Sequence, residues 1–105
     1  MEVKLFESIE EAHQVLVENQ PRLVKANDRN ICVVRIEDRI IAFYNECPHL
    51  GADLHLGQIN YLGQIVCPLH AYRFETKNGD PIERDCDSLH MIPLKINEAG
   101  LYLLL

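Results

Sequence analysis

Two short boxes constrain this chain more than any other feature: Cys47-Pro48-His49-Leu50-Gly51 and Cys67-Pro68-Leu69-His70. Each offers one thiol and one imidazole, one residue apart in the first box and two apart in the second. Spacings this short let both side chains converge on one side of a loop. Proline after each Cys stiffens the turn and removes a backbone donor. Gly51 allows backbone geometry that a Cβ would obstruct. Residues 50 through 66 separate the two pairs, and the segment 46–72 is rich in Pro, Gly, Cys and His. It reads as an excursion between strands.

Around that excursion the pattern is that of a small β protein. Leu23 to Ala26, Ile31 to Ile36 and Ile40 to Tyr44 are β-branched and aromatic-rich, with turns at Asn27–Asn30 and Glu37-Asp38. Strand signals return at Ile65-Val66 and at Tyr72 to Glu75, which runs into the tight-turn pair Asn78-Gly79. Met91 to Ile96, the turn Asn97–Gly100 and Leu101 to Leu105 read as a closing hairpin. Many short antiparallel strands imply an all-β sandwich or small barrel. Before them, Ser8 and Glu11 form a capping box ahead of Ile9, Ala12, Val15 and Leu16 at helical spacing. A short helix over about 8–18 is expected, ended before Pro21.

The chain has 105 residues, which suits one domain over 1–105. Net charge is −6, which disfavours nucleic acid and anionic membranes as partners. No apolar run approaches the roughly 20 residues of a membrane span, and the N-terminus does not read as a signal peptide. A cytoplasmic protein is expected. Charge is unevenly placed. No Lys or Arg lies between Arg39 and Arg73, while Glu46 and Asp53 do, and Asp80 to Asp87 adds further acids. The four cysteines, Cys32, Cys47, Cys67 and Cys86, admit a disulfide framework by their even count. Without a secretory signal, clustered Cys and His point instead to a metal site.

Two Cys and two His can close a tetrahedral structural zinc site. They can instead hold a [2Fe–2S] core with Cys₂ on one iron and His₂ on the other. C-P-H-L-G-A, the spacer and C-P-L-H resemble the Rieske pattern, with its usual Pro and Gly neighbours. The resemblance extends to the strand Ile40–Tyr44 running into the first box, and to Arg73-Phe74 and Lys77-Asn78-Gly79 after the second. It covers roughly residues 22 to 105 and leaves the N-terminal helix outside any motif.

The resemblance implies a Rieske iron–sulfur fold: an antiparallel sandwich or small barrel bearing a two-loop cluster-binding subdomain. It implies one [2Fe–2S] cluster per chain, with Cys47 and Cys67 on the inner iron and His49 and His70 on the outer. Such a site is neutral when oxidised, and neutral imidazoles raise its potential above that of an all-thiolate cluster. The extra loop cysteines that form a disulfide in cytochrome bc relatives are here Ala52 and Leu69. The Ser and Tyr that donate hydrogen bonds after the second box there are here Tyr72 and Phe74. A low-potential class is expected.

Low-potential Rieske ferredoxins resemble this chain in length and pass electrons from a flavin reductase to a terminal oxygenase. The small subunit of NADH-dependent nitrite reductase, paired with its large subunit, is the alternative. A zinc-binding interaction module is the alternative of another class. No nucleophile–base set appears, so a monomeric electron carrier rather than an enzyme is expected. Cys32, in ICVVRI, reads as a buried strand residue. Cys86 reads as more exposed, in an acidic loop that discourages thiolate formation. His55 reads as a surface residue of the loop, and His13 and His90 carry no signal. Leu50 and Leu69 adjoin the two box histidines and read either as a shield or as a small apolar docking patch.

Overall fold

The structure, a computed structural model, describes residues 1–69, 71–83 and 86–105. Its organisation follows from one strand that is buried on both faces. The strands are β1 (Glu2–Phe6), β2 (Arg22–Ala26), β3 (Arg29–Ile36), β4 (Arg39–Tyr44), β5 (Gln58–Ile59), β6 (Gln64–Val66), β7 (Arg73–Glu75), β8 (Met91–Ile92), β9 (Leu94–Asn97) and β10 (Gly100–Leu104). They form three antiparallel sheets, ordered β2-β3-β4-β8, β1-β10-β9 and β5-β6-β7.

Alternation along β3 sends Ile31 and Val33 to one side and Cys32, Val34 and Ile36 to the other. The first pair packs with Leu101 and Leu103 of β10 and with Ala12 and Leu16. The second set packs with Phe43, Leu54, Ile65 and Phe74, in the same core as Cys47 and Cys67. The central sheet therefore separates a base layer from a loop-bearing layer. Its tight hairpin between β2 and β3 places Asn27 (φ 52) and Asp28 (φ 63) in the left-handed region, which matches strand twist. Cys32 is fully buried, as expected of it, and burial pushes its thiol up to about 12.

The expected all-β architecture is present, with several departures, among them the short strand β5 within the excursion. Glu2–Phe6 forms β1 on the edge of the base sheet, paired with β10, although the sequence analysis assigned it no element. The helix, α1, spans Ile9–Val15 rather than 8–18. Its start is as expected: the Glu11 N–H donates to Ser8 Oγ at 3.0 Å. It stops early because Leu16 turns extended and buries, while Arg35 Nη1 donates to the carbonyls of His13 (3.4 Å) and Leu16 (3.3 Å). The expected strand Met91–Ile96 is two strands in two sheets. Pro93 has no N–H for a ladder, and the chain changes sheets there. Among the described residues no helix is long and apolar enough to cross a membrane.

Candidate metal centre

Each box is closed into a knuckle by one equivalent backbone hydrogen bond. The Cys47 N–H donates to the Ala52 carbonyl (2.9 Å), and the Cys67 N–H donates to the Tyr72 carbonyl (2.7 Å). In each, the fourth residue after the cysteine is left-handed: Gly51 at φ 73 and Ala71 at φ 54. A Cβ on Gly51 would have nothing within 4 Å, so glycine is there for its φ and not for space. Ala71 adopts the same conformation with a methyl group, at a cost of about 1 kcal/mol or more.

The first knuckle hangs from the end of β4 through Asn45, which is 1% exposed. The Asn45 N–H donates to the Asn30 carbonyl (3.0 Å), and its own carbonyl accepts from Leu54 (3.0 Å). Its Oδ1 accepts from the His55 backbone N–H and its Nδ2 donates to His55 Nδ1, both at 2.8 Å. An amide NH₂ can only donate, so the His55 ring carries its proton on Nε2. His55 is thus a half-buried anchor of the loop, not the surface residue that its place between the boxes suggested. The second knuckle leaves β6 and returns as β7. Arg73 follows it, and its N–H and Nε donate to the Glu83 carboxylate at 2.9 and 3.2 Å, stapling the following segment against the loop.

The fold brings the two cysteines together. Each is 2% exposed, and both thiols belong to one buried cluster in which they influence each other. Burial pushes the Cys67 thiol up to about 11; the Leu69 N–H pulls it down, while the neighbouring Cys47 and Cys86 raise it. A cation binding there must displace these protons. The His49 imidazole is stacked on the Tyr72 ring of the other knuckle, and among the described residues no three His, Cys, Asp or Glu side chains converge as a ligand group. His70 lies outside the described residues. Cys86 is half-buried, more exposed than Cys32 as expected, and packs against the core that contains Cys47 and Cys67, with its thiol donating to the Asp87 carbonyl at 3.4 Å.

Leu50 and Leu69 are 54% and 42% exposed. Glu46 and Asp53 are exposed and bridge each other at the base of the first knuckle. Asn45 and Tyr72 were not read as site residues in the sequence. Asn45 left only the faint signal of a polar residue closing an apolar strand. Tyr72 was weighed solely as a hydroxyl donor, and its ring is what reaches the site.

Two thiols buried in one core, each on a loop whose sequence also carries a histidine, are a donor set suited to iron–sulfur ligation. The chain belongs to the Rieske [2Fe–2S] domain family, whose model matches residues 7–93. It therefore carries one [2Fe–2S] cluster. The match begins at residue 7, so α1, which the motif resemblance left out, lies within the family domain.

The chain is 31% identical over 106 residues to the carnitine monooxygenase oxygenase subunit of Acinetobacter baumannii, a match covering 85% of this chain and 29% of that one. It is 29% identical over 73 residues to the ferredoxin component of the alkene monooxygenase system of Xanthobacter autotrophicus, covering 70% and 59%. Among solved structures, the ferredoxin of carbazole 1,9a-dioxygenase from Nocardioides aromaticivorans IC177 superposes with a TM-score of 0.78 at 23% identity, covering 98% and 96%. The chain spans less than a third of the length of the oxygenase subunit that it matches.

Proposed function

We propose that this chain is a one-electron carrier, a single Rieske domain over residues 1–105, with Cys47 and Cys67 as ligands of the inner iron and His49 and His70 of the outer. The observation that carries this reading is the pair of matched knuckles, which bury two thiols in one core beneath an exposed tip at Leu50 and Leu69. The bound cluster supplies a reversible one-electron store. The chain supplies the rest. Core residues Leu54, Ile65 and Phe74 keep water from the thiols, and the knuckles hold both loops in register.

The exposed tip offers a partner a short route to the site, and weak electron-transfer encounters use small surfaces of this sort. A flavin reductase as donor and a terminal oxygenase as acceptor suit the likeness to a monooxygenase ferredoxin component. A nitrite reductase large subunit is the alternative acceptor. No disulfide joins the cysteines among the described residues, which suits a reducing cytoplasm. With no cysteine at positions 52 and 69, and with Phe74 lacking a hydroxyl, the midpoint belongs near −150 mV, the low end of the Rieske range of about −150 to +300 mV.

The test is metal analysis and spectroscopy of the protein purified from iron-replete cells. Two irons and two acid-labile sulfides per chain are expected, with a reduced-state EPR signal of average g about 1.9 and a midpoint well below 0 mV. Stoichiometric zinc without iron would instead establish the colourless interaction module.

A further inference from the structure

The two knuckles differ at their sixth residue, where the first has Ala52 and the second has Tyr72. Tyr72 is held from three sides. Its carbonyl accepts the Cys67 N–H at 2.7 Å, which closes its own loop. Its ring packs against the core that contains both cysteines. Across the gap between loops, the ring lies flat on the His49 imidazole, with centroids 3.8 Å apart and planes within 10°. Among the described residues no disulfide joins the two loops, whose flanking positions are Ala52 and Leu69. A flat aromatic face resists rotation of the imidazole about its Cβ–Cγ bond. A rounded aliphatic chain of similar bulk fills space without fixing the ring plane.

We infer that Tyr72 is a positioning residue: its ring sets the plane of the His49 imidazole and clamps the second loop to the first. The inference rests on the proposed role of His49 as an iron ligand. It assigns the effect to the aromatic face and not to the hydroxyl, so phenylalanine serves in its place and leucine does not.

The experiment compares cluster-loaded wild type, Tyr72→Phe and Tyr72→Leu. Three quantities are read: iron release to a chelator, nitrogen hyperfine couplings of the reduced protein by pulsed EPR, and the thermal unfolding midpoint. Loss of a stacked pair corresponds to release roughly two- to tenfold faster in Tyr72→Leu, with the unfolding midpoint lowered by about 2–12 °C. Its nitrogen couplings should broaden as the ring plane is released, while Tyr72→Phe keeps wild-type release and couplings. Should Tyr72→Leu not fold, Tyr72→Met carries the same comparison.

Wild-type release and couplings in the aliphatic variant would overturn the inference. So would a Tyr72→Phe protein that behaves like the aliphatic one, because the hydroxyl would then carry the effect. A His49→Ala protein with unchanged nitrogen couplings would overturn the ligand assignment beneath it, and that result is obtained without touching Tyr72.

Discussion

Gly57 sits where the two halves of the loop-bearing layer touch. Its backbone is ordinary extended chain, φ −83 and ψ −155, so conformation alone does not demand glycine. Space does. A Cβ there would lie 2.1 Å from the Val66 carbonyl oxygen, 3.2 Å from the Leu54 carbonyl oxygen and 3.2 Å from Pro68 Cδ. Relieving the first contact requires main-chain movement of about 1 Å, because packed interiors leave no slack for an added methyl. The atoms that must move belong to Val66 and Pro68, which flank Cys67. Overpacking costs about 1–3 kcal/mol, and a clash against backbone belongs at the upper end.

At about 4–8 °C per kcal/mol for a domain of this size, Gly57→Ala should lower the unfolding midpoint by roughly 10–20 °C. It should also reduce iron per chain. Gly63→Ala is the control. Gly63 is left-handed (φ 75), with nothing within 4 Å of its Cβ position. Only the conformational cost of about 1–2 kcal/mol applies there, partly offset by the lower entropy of the unfolded alanine chain. Thermal unfolding and iron analysis of both variants decide the matter. Gly57→Ala with full iron and a midpoint no lower than that of Gly63→Ala would refute the steric argument.

Two other predictions follow from the anchor and the charge pattern. Asn45→Ala should destabilise the chain by about 1–3 kcal/mol in urea unfolding, because His55 loses both partners inside the fold; a change under about 0.5 kcal/mol would show that water replaces the amide. Electron transfer to a partner with a basic rim should slow as salt rises and in Glu46→Lys or Asp53→Lys, since exposed charges are screened within about 10 Å at 0.1 M. Stopped-flow rates indifferent to both changes would leave Leu50 and Leu69 as the docking determinants.

Most of the scaffold was legible in the chain because its signals are local. Ile31 to Ile36 is short, β-branched and bounded by turn residues, and it became β3 within two residues of the expected start. The N-cap Ser8 and its Glu11 partner lie three residues apart, and their hydrogen bond was readable for that reason. The helix end was not, since it depends on Arg35, far along the chain, reaching back to the carbonyls of His13 and Leu16. Cys86 is more exposed than Cys32, as expected, but its packing against the core was hidden for a similar reason. Its acidic neighbours in sequence suggested solvent, while its neighbours in space are the core beside Cys47 and Cys67.

The candidate site divides along the same line. The types and spacings of Cys47, His49, Cys67 and His70 are covalent facts of two short boxes; they point to a metal site before any fold is known, and their resemblance to the Rieske pattern implies iron–sulfur chemistry. That the two thiols share one buried core, that Asn45 anchors the first knuckle through His55, and that Tyr72 lies on His49 are decided only in the tertiary structure. Each joins residues whose separation along the chain says nothing of their distance in space. Gly57 shows the same limit from the other side: its φ and ψ suit any residue, and only the Val66 carbonyl arriving from another strand forbids a side chain.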